Sequence, residues 1–299
     1  MAISEQPSKL SLPIINPGVE TILQYLIMKF PRINALTWQQ RMLDGKVHFH
    51  DGTLISAQTK FKSQQRIYYY REVDREPCIP FKEDILFQDQ HIVVAYKPHF
   101  LPVTPGGVYI NECLQHRLRV RTGIEDLQAL HRLDRVTAGL VIFSVNPDSR
   151  HYYHQLFKTR QISKSYQAIA EIDTNDDLVG KHWQVKNKIV QGEPRFRMQI
   201  AQGITNSHSN ISCIEQQANK ALFKLEPVTG KTHQLRLHMQ ALGLPILNDK
   251  YYPNLQPLSA DNYAMPLQLL AKELKFIDPV TEQHRYFSYD GDLLLSDFK

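Results

Sequence analysis

A short segment near the middle of the chain places a carboxylate between two cations. It reads HRLDRVTAGL over residues 131–140, with Asp134 between Arg132 and Arg135. The apolar residues 140–143 predict a buried strand, so we expect the charged residues before them to form a loop at the edge of a sheet. The arginines favour the ionised form of Asp134, which can serve as a nucleophile or a base. They also suit a substrate with phosphates. Alternatively, Asp134 caps a turn and the arginines are solvated.

A second segment, PVTGKTHQLRLH over residues 227–238, contains further groups of this kind. We expect a helix from Thr232 to Leu242, on which His233 and Arg236 share a face. Arg236 lies in an otherwise apolar stretch, and a buried charge needs a partner of opposite sign. Asp134 is the candidate partner.

The composition indicates a globular protein in a reducing compartment. Hydrophobic residues make up 42% and charged residues 22% of the 299 residues, and the net charge of +5 is compatible with an RNA partner without requiring one. Cys78, Cys113 and Cys213 lie too far apart for a zinc site or a disulfide framework, which predicts the cytoplasm. His233 and His238 lack the spacing of a metal-binding pair. Neither a signal peptide nor a membrane span is predicted.

Three regions are expected along the chain. Residues 1–15 are predicted to be a tail and residues 16–75 a small module of two helices and a hairpin. Residues 76–299 are predicted to form a second domain after a linker that contains Pro77 and Pro80.

The small module is basic. Thr37 is the expected cap of its second helix, and Asp51-Gly52 predicts the turn of its hairpin. Its positive charge favours an RNA-binding role as much as a merely solvated face. The cations are Lys29, Arg32, Arg41, Lys46, Lys60, Lys62 and Arg66.

The second domain is expected to mix strands and helices. Asn111 is a candidate cap for one helix, and Asn146-Pro147 predicts the start of another. Residues 163–172 alternate as in a strand, with Lys164 and Tyr166 on one face. Such a pair can contact a phosphate and stack on a base, although a core tyrosine beside a surface lysine is the alternative. The polar residues 202–219 predict a loop.

Together the two long segments closely resemble the motifs of the RluA-type pseudouridine synthases. HRLDRxTxGL is followed about a hundred residues later by TGKTHQLRLH. The resemblance covers residues 80 to 290, and residues 16–75 resemble the αL RNA-binding module that often precedes this domain. The supporting segments are residues 96–98, 164–166 and 243–252.

The resemblance implies the conversion of uridine to pseudouridine within RNA, by a monomer that needs neither a cofactor nor a metal. It implies an α+β fold with a mixed, largely antiparallel sheet flanked by helices. Asp134 becomes the catalytic carboxylate, positioned by Arg236, and Tyr166 stacks on the flipped uracil. The residues expected to bind RNA are His131, Arg132, Arg135, Thr137, Lys97, Lys164, Lys231 and His233.

The substrate suggested by the αL resemblance is ribosomal RNA of the large subunit, with transfer RNA as the alternative. A non-catalytic RNA-binding protein would not explain both motifs. A glycosidase needs two close carboxylates, and the sequence offers one convincing candidate. A metal-dependent nuclease needs clustered ligands, and the spacing of the histidines argues against such a cluster. Ala138, Lys231 and Asn248 stand where the family usually has Ser, Arg and Gly, and none of these departures removes a titrating group.

Overall fold

The structure is a computed structural model that describes residues 2–295, and these form two compact units. The N-terminal unit comprises the residues up to Pro77 together with Gly106–Asn111. The C-terminal unit comprises Cys78–Pro105 and the residues from Glu112 onward. Each unit has its own hydrophobic core. No helix within residues 2–295 is long and apolar enough to span a bilayer.

The N-terminal unit packs two helices on a small antiparallel sheet. A capping box starts its first helix, because Thr21 accepts a hydrogen bond from the backbone N–H of Gln24 and the Gln24 side chain accepts in return. The elements are β1 (Ala2–Ile3), β2 (Ser8–Ser11), α1 (Ile22–Lys29), α2 (Ala35–Leu43), β3 (Val47–Phe49), β4 (Arg66–Tyr69) and β5 (Glu72–Val73). The sheet has the order β2-β4-β3, and β1 pairs separately with β5.

Three expectations for this unit are corrected. Residues 1–15 are not a simple tail, because they supply β1 and β2 and bury Leu12 in the core. Asn34 rather than Thr37 caps α2, since its side chain accepts from a backbone N–H of the first turn at 2.6 Å. The hairpin predicted around Asp51-Gly52 is present, since Phe49 N–H bonds to the Thr53 oxygen at 2.8 Å and Ile55 N–H to the Val47 oxygen at 2.9 Å. However, its second arm is shorter than expected and pairs only through the bridge of Leu54 with His48, while β3 pairs on its other edge with β4.

The C-terminal unit is built on one large sheet. Its strands are β6 (Asp84–Gln88), β7 (Ile92–Lys97), β8 (Gln128–Ala129), β9 (Ala138–Ser144), β10 (Ser163–Glu171), β11 (His182–Gln191), β12 (Met198–Ala201), β13 (Ser207–Gln217), β14 (Lys220–Pro227), β15 (Leu269–Ile277) and β16 (His284–Ser288). The order is β12-β11-β13-β14-β10-β15-β9-β7-β6, with β16 beside β15 and β8 beside β9. Since β9 and β15 are parallel and the other pairs described are antiparallel, the predicted mixed, mostly antiparallel sheet is confirmed.

The helices of this unit are α3 (Leu114–Thr122), α4 (Arg150–Lys158) and α5 (Gln234–Ala241). All three start two or three residues later than expected, α5 at Gln234 rather than Thr232. Cys113 rather than Asn111 precedes α3, and Pro147 lies in the turn before α4. Leu235 and Met239 of α5 pack into the core that covers one face of the sheet.

Residues 202–219 are not a loop, because they contain β13, an eleven-residue strand between β11 and β14. The prediction failed because two of its inward residues are serines rather than apolar residues. Ser207 and Ser209 are buried, and their hydroxyls bond to Asn187 and Gln234. Buried hydroxyls with such partners are compatible with a central strand.

The centre of the sheet brings the segment that contains Asp134 close to the strand that carries Tyr166. Ala271 of β15 pairs with Gly139 of β9 on one side and with Tyr166 of β10 on the other. Gly139 has φ +121°, and a Cβ there would overlap the backbone oxygen of Ala271. Only glycine fits this close approach, which brings the loop that carries Asp134 to the middle of the sheet.

Candidate active site

One cavity of about 600 Å³ lies among the Asp134 loop, β10 and the turn before α5. Its volume is within the range of small-molecule sites, about 300–1,000 Å³. Of the predicted site residues, all but Lys97 and Arg135 line it, namely His131, Arg132, Asp134, Thr137, Lys164, Tyr166, Lys231, His233 and Arg236.

Arg236 reaches Asp134 through one guanidinium nitrogen. Nη1 of Arg236 donates to Oδ2 of Asp134 at 3.2 Å, so the predicted contact is present. The side chain of Arg236 is only 3% exposed, whereas that of Asp134 is 26% exposed. The carboxylate of Asp134 is therefore accessible from the cavity, while the buried guanidinium of Arg236 balances its charge.

Asp249 holds the rest of the same guanidinium. Nε and Nη2 of Arg236 donate to its two carboxylate oxygens at 2.7 and 2.6 Å. Oδ1 of Asp249 also accepts from the backbone N–H groups of Tyr251 and Tyr252, at 2.8 and 3.2 Å. We expected the paired hydrogen bonds of Arg236 to brace Asp134, but the structure gives them to Asp249.

The charge of Arg236 is well supported. Its guanidinium lies 5.0 Å from the ring centroid of Tyr251 and 5.2 Å from that of Tyr252, distances at which a cation is attracted to an aromatic face. Burial lowers the pKa of Arg236, but the hydrogen bonds and charge of Asp249 raise it by more, so its net pKa lies above the ordinary value. Arg236 is thus a permanent cation between two carboxylates.

His233 borders the carboxylate as a neutral group. It precedes α5 with φ +55°, a costly conformation for a non-glycine residue. Its Nδ1 lies 2.9 Å from the hydroxyl of Tyr252, and its Nε2 lies 3.8 Å from Oδ2 of Asp134. Burial lowers the pKa of His233 below 6.5, and the charge of Asp134 does not restore it. The imidazole therefore does not neutralise Asp134 at neutral pH.

Tyr166 and Lys164 project from β10 into the cavity, as their spacing predicted. Burial, and then the charge of Asp134, raises the pKa of Tyr166, so its phenol stays protonated. Burial, and then the charge of Arg160, lowers the pKa of Lys164. The cavity thus offers a flat neutral ring and an ammonium group on one wall.

His131 is a brace rather than a phosphate-binding cation. Its ring stacks on Phe157 with centroids 4.7 Å apart, and its Nε2 accepts from the backbone N–H of Ile142 at 3.1 Å. Burial lowers the pKa of His131 to about 3. His131 lines the cavity as expected, but it cannot contribute a positive charge there at neutral pH. Arg132 and Lys231, by contrast, are exposed at the cavity.

Lys97 and Arg135 form hydrogen bonds with other groups of the protein. Lys97 is 0% exposed, and its ammonium donates to the backbone oxygens of Pro98, Leu101 and Arg135 at 2.9, 2.7 and 3.0 Å. The expected RNA contact is wrong for Lys97, since a buried ammonium that already serves carbonyl groups cannot reach a phosphate. Arg135 donates to both oxygens of Asp261, at 2.6 and 2.9 Å, so its charge is already balanced.

Comparison with known proteins decides the family. A sequence profile described as RNA pseudouridylate synthase matches residues 91–241. The dual-specificity RNA pseudouridine synthase RluA of Haemophilus influenzae is 32% identical over 214 residues, which are 70% of this chain and 93% of that protein. The chain belongs to the RluA-type RNA pseudouridine synthases. It is an isomerase.

Two further matches agree with this assignment. The mitochondrial tRNA pseudouridine(32) synthase of Saccharomyces cerevisiae is 26% identical over 240 residues, covering 78% of this chain and 50% of the yeast protein. The structure of human RNA pseudouridylate synthase domain containing 1 matches 74% of this chain and 89% of its own, with a TM-score of 0.58 and 22% identity. The latter match confirms the fold.

Sequence reasoning missed Asp249 as a site residue of this synthase. The segment around it was matched to the last motif, but no role was given to its carboxylate. The available signal was the number of donors, because a buried guanidinium has five N–H groups and one carboxylate cannot accept from all of them, but this signal does not identify Asp249 as the second acceptor. Within residues 2–295 no group of three or more His, Cys, Asp or Glu side chains is placed to hold a metal ion.

Proposed function

We propose that the cavity isomerises uridine to pseudouridine with Asp134 as the catalytic carboxylate. In this reaction the bond from ribose to nitrogen 1 of uracil breaks, the base turns, and carbon 5 joins the ribose; carbon 5 then loses its proton and nitrogen 1 gains one, so the composition is unchanged. The observation that carries the proposal is the partial exposure of Asp134 above the buried Arg236. Attack on the ribose, attack on the base and removal of a ribose proton all need such an accessible carboxylate.

The other cavity residues are proposed to receive the flipped nucleotide. The neutral phenol ring of Tyr166 suits stacking on uracil. Arg132, Lys164 and Lys231 suit contacts with the displaced backbone. Extrusion of a paired uridine costs a few kcal/mol, which these contacts would offset.

The test is Asp134→Asn, which keeps the shape and removes the negative charge. We expect no pseudouridine by nucleoside mass spectrometry, with RNA affinity within a few-fold of the original protein. Asp148→Asn, at an exposed carboxylate in the turn before α4, is the matched control and should retain activity. Substantial turnover by purified Asp134→Asn protein would exclude the assignment.

We propose ribosomal RNA of the large subunit as the substrate, on the resemblance of residues 16–75 to the αL module. Transfer RNA is the second candidate, because the Haemophilus relative is named as dual-specificity and the yeast relative as a tRNA synthase. Pseudouridine mapping in total RNA from cells with and without the gene distinguishes the two. Sites lost only from transfer RNA would contradict the first choice.

We propose that the N-terminal unit grips RNA, although with fewer cations than its sequence suggested. Arg41 and Lys46 both pair with Glu72, at 2.9 and 2.5 Å. Lys29, Arg32 and the later basic residues of the unit remain exposed, namely Lys60, Lys62 and Arg66. A protein that lacks residues 1–77 should turn over saturating RNA but require a higher RNA concentration. Full activity at low RNA concentration would count against this role.

A monomer in the cytoplasm is proposed as the working form. Within residues 2–295, Cys78, Cys113 and Cys213 form no disulfide, as suits a reducing compartment. Cell fractionation and light scattering test the two parts of this proposal, and a mitochondrial fraction would contradict the first.

A further inference from the structure

Four aromatic rings lie side by side on the face of the N-terminal sheet that points away from its core. Along β3 and β4 and just beyond them, alternate residues point to opposite faces. Leu10, Val47 and Ile67 belong to the inward set and pack in the core. The outward set includes His48, His50, Tyr68 and Tyr70, which we name the ring row.

The rings of the row are in mutual contact. His48 lies nearly parallel to Tyr68, with centroids 5.5 Å apart and an angle of 10° between the planes. Tyr70 lies 6.0 Å from His48 on one side, and His50 lies 5.6 Å from Tyr68 on the other. Nδ1 of His50 is also 2.9 Å from the Tyr68 hydroxyl. These contacts fix the rings relative to one another. Tyr68 is only 7% exposed, so His48, His50 and Tyr70 are the rings that a ligand can reach.

The same face carries positive charge. Lys9 of β2 pairs in register with Tyr68, and Tyr68 pairs with His48, so the three form one row across the sheet. Arg66 lies two residues before Tyr68 on the same face. Both Lys9 and Arg66 are exposed. The outward residues within β2, β3 and β4 include no carboxylate, and beyond the strands the exposed Asp51 lies next to His50. The charge is therefore complementary to a polyanion.

We propose that the ring row binds unpaired RNA bases by stacking, with Lys9 and Arg66 on the adjoining phosphates. Aromatic faces beside cations are the combination that single-stranded nucleic acid requires. The proposal rests on the RNA grip proposed above and adds which face of the unit binds and that it selects unpaired bases. It assigns α2 no contact with RNA, since that helix exposes Leu36 and Leu43 and buries Arg41.

The test uses the full chain and a fluorescein-labelled single-stranded oligoadenylate, which contains no uridine and cannot be turned over. Fluorescence anisotropy measures its dissociation constant. We expect His48→Ala with Tyr70→Ala to weaken binding about tenfold, as for the loss of one stacked base. Tyr152→Ala is the matched control. Tyr152 is a 50% exposed tyrosine of the other unit that also lies against a histidine, with its ring centroid 3.7 Å from that of His151. It should leave the dissociation constant unchanged.

Folding effects are separated by a second variant. His48→Leu with Tyr70→Leu keeps apolar cover on the sheet but removes the aromatic faces, so it should bind as weakly as the alanine variant while its circular dichroism stays unchanged. Lys9→Gln with Arg66→Gln should reduce the slope of log affinity against log salt by about 1.4, about 0.7 for each phosphate contact on a single strand.

Three outcomes would overturn the inference. The first is binding within twofold of the original protein by the folded leucine variant, which would leave the RNA grip of the unit itself untouched. The second is that the leucine variant loses as much affinity for duplex RNA as for oligoadenylate, because stacking needs unpaired bases. The third is no measurable binding of oligoadenylate by the original protein.

Discussion

Replacing Asp249 by Asn should uncouple Arg236 from its support and disable the enzyme while leaving RNA binding intact. The side chains of Asp249 and Arg236 are 1% and 3% exposed. Removing one partner of a buried ion pair costs about 3–5 kcal/mol. We expect the lower end, about 3 kcal/mol, because asparagine keeps one acceptor oxygen and Asp134 remains nearby. At about 2–4 °C per kcal/mol, the Tm should fall by about 6–12 °C.

The catalytic effect should exceed the effect on stability. Without the paired bonds to Asp249, the guanidinium of Arg236 is free to turn and pair with Asp134 through two nitrogens. A displacement of about 1 Å in a reacting group can cost about 100-fold in rate. We therefore expect kcat to fall about 100-fold at a temperature where the variant is fully folded, with KM nearly unchanged because Arg132 and Lys231 are untouched.

The matched control is Asp278→Asn, outside the cavity. Asp278 is 0% exposed and accepts from Nε of Arg285 at 3.2 Å and from the hydroxyl of Tyr153 at 2.9 Å. Its loss should lower the Tm by a similar amount but leave kcat within a few-fold. A normal kcat for folded Asp249→Asn protein would refute the reasoning, as would an equal loss of kcat in both variants.

Three other predictions concern the same unit. Arg236→Lys should lose nearly as much kcat as Arg236→Ala in steady-state assays, because one ammonium cannot serve Asp249 through two hydrogen bonds and Asp134 through a third; wild-type kcat in the lysine variant would contradict this. Chelators should leave activity intact when the RNA is folded beforehand, and inactivation reversed by zinc would contradict the expected absence of a metal. Acid should destabilise the protein between about pH 6.5 and 4, since burial lowers the pKa values of His99 and His238 to about 4. The unfolded chain then binds more protons than the folded one, and stability falls as the pH falls. Denaturant titrations across this range test it, and His238→Gln should flatten the slope.

Local sequence was sufficient to single out candidate site residues in three segments. The carboxylate of Asp134 among arginines, the buried Arg236 and the alternation that places Lys164 and Tyr166 together all follow from residue type and spacing. Strands such as β9 were predictable because their apolar runs are continuous. These features depend on neighbours in the chain, so a sequence reading can reach them.

Partners distant in the chain were decided only by the tertiary structure. Lys97 and Arg135 looked like RNA-binding cations. Arg135 instead pairs with the distant Asp261, and the buried Lys97 donates to the distant carbonyl of Arg135 as well as to the nearby carbonyls of Pro98 and Leu101. The strand β13 looked like a loop because its buried serines depend on Asn187 and Gln234 for partners.

The same reason hid the role of Asp249. Nothing near residue 249 marks its carboxylate as different from other acidic residues of the chain. Its function arises because α5 packs on the sheet and turns Arg236 toward two carboxylates at once, at 2.6 Å and 3.2 Å. The pairing of a buried charge is set by what the fold brings within hydrogen-bond distance, and residues 134, 236 and 249 share no local pattern from which that distance could be read.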